Sequence, residues 1–337
     1  KSNSQSCTFE FLLWNLMSGT LLHTFGAATL LQRMGQRMGQ RGQNKGHGDR
    51  ITALTFTPDG SHLFSSSADG TIKQWQVAQR QCVATLPGEG WVISSLLLHP
   101  DGQLLISGGA NGSIDLWNVA THQFIQRLWT HTDRISGLGL ATDGYTLFSG
   151  AEDGKICSWD LRTAEAIASI SAHHNGVSAL VIHPESNLLV TGGGDDALRL
   201  WHIASSELRL GRTLATSSST GRMARRNSSA RAIALHPHGT LLAHRTDDTA
   251  IQLWHLTSPS SLSANPSSSD SRFSTPAHEN ADLSQSTQPP SPSELLHPRR
   301  LLQLDQDWSV SALCFSPNGR RFVSSSTDGT LKLWQGR

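Results

Sequence analysis

The chain has 337 residues, 27 lysines and arginines against 26 aspartates and glutamates, and a formal net charge of +1. That balance gives no global steering toward nucleic acid, and no apolar run is long enough to span a membrane. The length would ordinarily suggest two domains, but a single all-β domain of repeated units accommodates it.

From the N-terminus, residues 9–16 and 21–25 read as two short strands, the second half of a unit. Residues 26–46 form a basic, Gly/Gln-rich insertion around a tandem Gln-Arg-Met-Gly, with Arg33, Arg37, Arg41 and Lys45. A regular frame then begins. Ile51 to Thr57 is apolar-rich and stops at Pro58-Asp59-Gly60. His62 to Ser67 follows, then Ala68-Asp69-Gly70-Thr71, then Ile72-Lys73-Gln74-Trp75. Short β-rich runs between Gly, Asp and Pro turns predict an antiparallel meander of about four strands.

The frame returns with Trp117, Trp159 and Trp201, each 42 residues after the last. Trp254 and Trp334 carry it on, stretched by insertions at 215–230 and 257–298. The first is Ser-rich and basic. The second has 13 serines and 7 prolines, too little apolar surface to repay ordering, and reads as disordered. Loops absorb such additions because closure entropy grows only logarithmically with length.

A supersecondary unit of this length, repeated, points to a β-propeller. The expected fold is seven blades, the first incomplete, with six-bladed closure as the alternative. A seven-bladed ring needs three further strands ahead of Lys1, so the chain reads as a fragment cut inside its first blade.

Taken together, Gly46-His47, Pro58-Asp59-Gly60, Ser65-x-Ser67-x-Asp69-Gly70-Thr71 with Ile72-Lys73-x-Trp75, and the close of the chain through Asp328-Gly329-Thr330 to Trp334 resemble the WD-repeat β-propeller family. Only Trp159-Asp160 keeps the signature dipeptide. In that family a His before the inner strand, a Ser or Thr on the second strand, an Asp in the next turn and the Trp form one hydrogen-bonded group. The resemblance implies three complete sets: His47, Ser65, Asp69 and Trp75; His131, Ser149, Asp153 and Trp159; His173, Thr191, Asp195 and Trp201. Elsewhere the set is broken, with Glu89 and Asn111 in one blade, Arg226 and His244 in another, and Gln306 before Asp328.

The resemblance also implies a partner-binding face, formed by the loops leading into the inner strands. Arg50, Trp91, Arg134, His174 and Trp308 occupy that position, and tryptophan and arginine are the residue types of interface hot spots. The expected partner is a protein or peptide, acidic in view of the arginines in the two basic insertions, and not nucleic acid.

Four cysteines without short spacing (Cys7, Cys82, Cys157, Cys314) suit reduced thiols in a cytoplasmic protein. No phosphate-cradling loop, nucleophile elbow or His-Glu-x-x-His occurs, and Gly70 directly after Asp69 departs from the turn motif of sialidase-like propellers. His99, His183 and His236 recur at one turn position in separate blades and read as repeat drift, not as metal ligands. The expectation is a non-enzymatic scaffold without cofactor or metal. The alternative is a recruiting module of a larger enzyme, such as a kinase, of the kind familiar in bacterial WD-repeat fusions.

Overall fold

A computed structural model describes residues 11–15, 20–25, 46–183, 187–195, 197–204, 207–215, 232–239, 241–245, 250–257, 297–305, 310–316, 319–326 and 330–335. Among them β1 (Phe11–Asn15) and β2 (Thr20–Phe25) pair as a two-stranded antiparallel sheet. Six further sheets follow as meanders. Blade I holds β3 (Ile51–Phe56), β4 (His62–Ser67), β5 (Thr71–Gln76) and β6 (Gln81–Pro87). Blade II holds β7 (Ile93–Leu98), β8 (Leu104–Gly109), β9 (Ser113–Asn118) and β10 (Phe124–Trp129). Blade III holds β11 (Ile135–Leu140), β12 (Thr146–Ala151), β13 (Lys155–Asp160) and β14 (Glu165–Ser171). Blade IV holds β15 (Val177–Ile182), β16 (Leu188–Gly193), β17 (Ala197–Ala204) and β18 (Glu207–Ala215). Blade V holds β19 (Ile233–Leu235), β20 (Leu241–Arg245), β21 (Ala250–Thr257) and β22 (His297–Asp305). Blade VI holds β23 (Val310–Phe315), β24 (Arg321–Ser326) and β25 (Leu331–Gln335).

The first strand of each blade touches the first strand of the next, from β3 through β7, β11, β15 and β19 to β23, so these strands line the inside of the propeller. Second strands are buried on both faces, as β12 is throughout, while fourth strands such as β14 are largely exposed. This is why the second strands read as unbroken small and apolar runs instead of alternating.

The apolar core is a series of layers between blades, not one central mass. From blade II onward each period tryptophan packs back on the blade before it, whereas Trp75 joins Leu63 and Cys82 of its own blade. Trp117 joins Phe64, Ile72 and Leu86; Trp159 joins Ile106, Leu116 and Leu128; Trp201 joins Phe148 and Ile156. Stacked repeats of this kind draw stability from nearest-neighbour contacts, and truncating a buried tryptophan costs about 3–5 kcal/mol. In blades I to V the pairing of third and fourth strands shifts register at the tryptophan itself, as at Gln74/Trp75 and Ser158/Trp159. Such a bulge re-aims one side chain without ending the sheet.

Small residues on the second strands let the next inner strand approach. A Cβ on Gly108 would lie 2.5 Å from Ile135 Cγ2, and one on Gly150 would lie 2.7 Å from Val177 Cγ1.

The two ends of the blades differ. At the upper end, the Asp turn and the loop leaving the same blade meet. Gly88 N donates to Gly70 O and Ala172 N to Gly154 O, at 2.9 and 2.8 Å. At the lower end, the Pro-Asp-Gly turns meet the turns before the fourth strands, where Val77 N donates to Ser61 O and Val119 N to Gln103 O. The sequence boundary of the third insertion shifts slightly, because Thr257 pairs with His297 and Leu256 with Pro298, extending the hairpin into it. Ala215 likewise pairs with Ala197. Residues 26–45 and 216–231 lie outside the described residues.

Candidate functional site

The upper end is organised by the hydrogen-bonded sets. In blade III, His131 Nδ1 lies 2.9 Å from Asp153 Oδ2 and His131 Nε2 lies 2.8 Å from Ser149 Oγ. Trp159 Nε1 donates to the same Ser149 Oγ at 2.9 Å. Blade I repeats the arrangement with His47, Ser65, Asp69 and Trp75 at 3.2, 2.7 and 2.7 Å. Blade IV repeats it with His173, Thr191, Asp195 and Trp201 at 2.7, 2.9 and 2.9 Å.

Both ends of this relay have fixed polarity. The indole N–H only donates and an ionised carboxylate only accepts. In blades I and III one orientation therefore satisfies every atom with a neutral imidazole: Trp to hydroxyl, hydroxyl to Nε2, Nδ1–H to Asp. Burial pushes the pKa of His47 and His173 below the ordinary histidine value, in keeping with a neutral ring. Burial works the other way on Asp153, but Lys155 N, the His131 ring and Thr132 N outweigh it and hold the carboxyl below the usual range. In blade IV, Arg199 Nη1 adds a bond to Asp195 Oδ2 at 2.7 Å and reaches His173 Nδ1 as well.

Four of the residues expected on the partner face, Arg50, Trp91, Arg134 and His174, lie on the loops of the upper rim. Arg50 and Arg134 follow Asp49 and Asp133, whose carboxylates accept from the arginines' own backbone N–H at 2.6 and 2.7 Å. Each aspartate thus shapes the loop instead of pairing with the guanidinium. Trp91 is 56% exposed, on a loop whose carbonyl packs 3.2 Å from the Cβ position of Gly70. His174 is exposed beside Asn175, whose side-chain N–H donates to Gly194 O at 3.4 Å. Trp308 lies outside the described residues, as do Arg226, Gln306 and Asp328.

Residues 40–76, 80–118, 122–160, 164–202 and 299–335, more than half of the chain, match the family description "WD domain, G-beta repeat". The chain belongs to that family. WD-repeat relatives include WD repeat-containing protein 18 of Rattus norvegicus, 44% identical over 46 residues, 14% of this chain and 11% of that protein. Ribosome biogenesis protein BOP1 of Homo sapiens is 41% identical over 46 residues, 14% of this chain and 6% of that protein. The matched stretch is thus about a tenth or less of either relative. A chain in a crystal structure of the mitotic checkpoint complex superposes with a TM-score of 0.70 over 97% of this chain and 81% of its own, at 20% identity, which shows the fold alone. Proteins of the WD-repeat family are typically non-catalytic scaffolds for other proteins.

Blade V, whose first three strands lie outside the matched ranges, departs most from the WD repeat. Its His244 stands where the other blades carry Ser or Thr, and accepts from Trp254 Nε1 at 2.9 Å. Its Nδ1 lies 3.1 Å from Arg245 O.

Blade II departs differently. Trp117 Nε1 still donates to Ser107 Oγ at 2.9 Å, and Asn111 Oδ1 accepts from Ser113 N and Oγ. Glu89, at the His position, bonds instead to Arg127 on β10, whose Nε and Nη2 grip Asp115 on β9 at 2.6 and 2.9 Å. The bonds to Asp115 and Glu89 push the pKa of Arg127 up, outweighing its burial. A charged bridge has taken over from the His–Asp pair in tying the incoming loop to the blade. It escapes motif matching because its members stand at positions that vary freely elsewhere: Lys73, Cys157 and Arg199 correspond to Asp115.

The three turn histidines also have a use beyond repeat drift. His99 Nε2 lies 2.9 Å from Gly144 O of the next blade, and His236 Nε2 lies 3.2 Å from Gly319 O of the next. His183 packs on Gly239 in the same way. They latch consecutive blades at the lower end. Among the described residues no group of three or more His, Cys, Asp or Glu could hold a metal ion, and no helix is long and apolar enough to cross a membrane.

Proposed function

We propose that this chain is a non-catalytic scaffold that holds a partner protein or peptide on its upper face, through Arg50, Trp91, Arg134, His174 and Trp308. The observation that carries the reading is Trp91, a large aromatic more than half exposed on a loop held to the blade I Asp turn by the bond from Gly88 N to Gly70 O. A rigid exposed aromatic loses little entropy on binding, which is what makes tryptophan an interface anchor. Arg50 and Arg134 flank it on the neighbouring blades with guanidinium groups not taken up by their adjacent aspartates. With the arginines of the two basic insertions they favour an acidic partner. The free thiols of Cys82, Cys157 and Cys314 suit a reducing compartment such as the cytoplasm.

The test is capture of partners from source cells by wild type and by Trp91→Ala/Arg134→Ala. Loss of a specific partner supports the upper face. Unchanged capture removes these residues from the site. Binding that falls steeply with salt and persists on nucleic acid alone would move the reading to a nucleic-acid partner.

A further inference from the structure

The flank between blade I and blade II carries a second surface. The face of blade II that bears Trp117 looks toward blade I, since Trp117 packs on Phe64 and Leu86. On that face Arg127 is drawn to Asp115, and its guanidinium carbon lies 5.7 Å from the Phe124 ring and 5.6 Å from the Trp129 ring. A cation already neutralised by a carboxylate thus sits between two aromatic rings. Phe124, Ile125 and Trp129 are 48%, 52% and 56% exposed, on one six-residue outer strand.

The repeat supplies its own control. Opposite Trp117, Asp115 and Ser113 stand Phe124, Arg127 and Trp129. The corresponding places on β6 are Cys82, Thr85 and Pro87, and on β14 they are Ala166, Ser169 and Ser171. Blade II has therefore built large side chains where its neighbours keep small ones. Outer strands are usually guarded by charge or proline. The one charge on β10 is turned inward.

At the lower end of the same flank lies a groove of about 620 Å³ between the blades. Its walls include Pro58, Pro100, Val83 and Val119, its rim carries Asp59 and Asp101, and no lysine or arginine lines it. His122, two residues before Phe124, meets Gln74 of blade I at 2.5 Å and ties the two blades together there. Bonds from Thr57 and Ser61 hold the Asp59 carboxyl down to about 2, so it is ionised. Exposed Glu89 stands at the upper end, and Arg127 offsets only one of its two carboxylate partners. The flank is apolar along its length and carries excess negative charge at both ends.

We propose that this flank is a docking groove for an extended segment of a partner protein that carries arginine or lysine beside apolar residues. The basic heads meet Asp59 and Asp101, and the apolar side chains lie along Phe124 and Trp129. Charge complementarity selects a basic segment, and an exposed outer strand suits an extended one.

The test is fluorescence anisotropy of the whole chain with a labelled peptide of alternating leucine and arginine, against the same peptide with glutamate or serine for arginine. Saturable binding of the arginine peptide alone is expected. Asp59→Asn/Asp101→Asn and Phe124→Ala/Trp129→Ser each weaken it by about tenfold or more. Asp143→Asn, which removes an equivalent turn charge from blade III, leaves it unchanged, as does Trp91→Ala on the upper face, so this groove and the upper-face reading fail separately. No saturable binding, equal binding of the glutamate peptide, or equal weakening by Asp143→Asn overturns the proposal.

Discussion

Trp254 Nε1 donates to His244 Nε2 over 2.9 Å, the bond that Trp75 makes to Ser65 over 2.7 Å four blades earlier. All six blades keep this link between the tryptophan and the residue ten positions before it, although the acceptor changes from hydroxyl to imidazole. The His–Asp half is replaceable, as Glu89 and Arg127 show. The two halves protect different things. The indole bond satisfies a buried donor, which is costly to strand anywhere. The His–Asp bond ties a loop to a turn near solvent, and another charge-assisted bond can serve there.

Asp153→Ala is therefore expected to destabilise far more than Asn111→Ala. Asp153 accepts from the buried His131 ring, from Thr132 N and from Lys155 N. Asn111 accepts only within its own turn, from Ser113. Stranding the His131 ring and its neighbours costs about 2–3 kcal/mol, against about 1 kcal/mol for the turn bonds of Asn111. Equal shifts in thermal midpoint would contradict this.

Breaking the blade II bridge has its own signature. Arg127→Met keeps the apolar stem but leaves Asp115, which is buried, without its bidentate partner. Removing one member of a buried pair costs about 3–5 kcal/mol, whereas replacing both members by apolar residues is far milder. The double variant Arg127→Met/Asp115→Leu should recover much of the stability lost by Arg127→Met alone in denaturant unfolding. Additive losses would mean that the pair contributes through packing, not charge.

Much of this fold is legible in the amino-acid sequence. The interval of 42 between tryptophans fixes blade length, and the offsets from His47 to Ser65, Asp69 and Trp75 recur from His131 and His173 because each blade solves the same local packing problem. What is not legible depends on side chains outside the motif positions or on contacts between blades. Arg127 stands on the outer strand of the blade that Glu89 leads into, 38 residues along, and His99 is 45 residues from Gly144 in another blade. Neither contact joins two positions of the motif, so a residue-by-residue match of units passes over both. Trp129 carries no signal for a related reason: it lies outside the 42-residue tryptophan period.

Stability should fall with mild acid. Burial lowers the folded pKa of His47 and His173, so between that value and the ordinary histidine value the unfolded chain binds more protons than the folded one. Stability then rises with pH across that window. The contribution is fully present above the unfolded value of 6.5 and is lost as pH falls below it. Thermal midpoints measured from pH 7.5 down to about 5 should decline, before the carboxylates titrate. His47→Gln/His173→Gln should flatten that decline even if it lowers the midpoint throughout. A slope unchanged by the double variant would assign the decline to other groups.

Two glycines separate backbone strain from the inter-blade latch. Gly60 and Gly239 both hold left-handed backbone, with φ of +68° and +64°. A Cβ on Gly60 meets nothing within 4 Å, but one on Gly239 would fall 1.0 Å from His183 Nε2. Gly60→Ala should therefore cost only the conformational penalty, about 1 kcal/mol. Gly239→Ala must also displace His183 from its seat between blades IV and V, and an overpacked contact adds about 1–3 kcal/mol. His183→Ala opens space for the new methyl group. If the latch is what makes Gly239 irreplaceable, adding Gly239→Ala to His183→Ala should cost no more than Gly60→Ala does alone. A full penalty retained in that background would place the constraint in the turn itself.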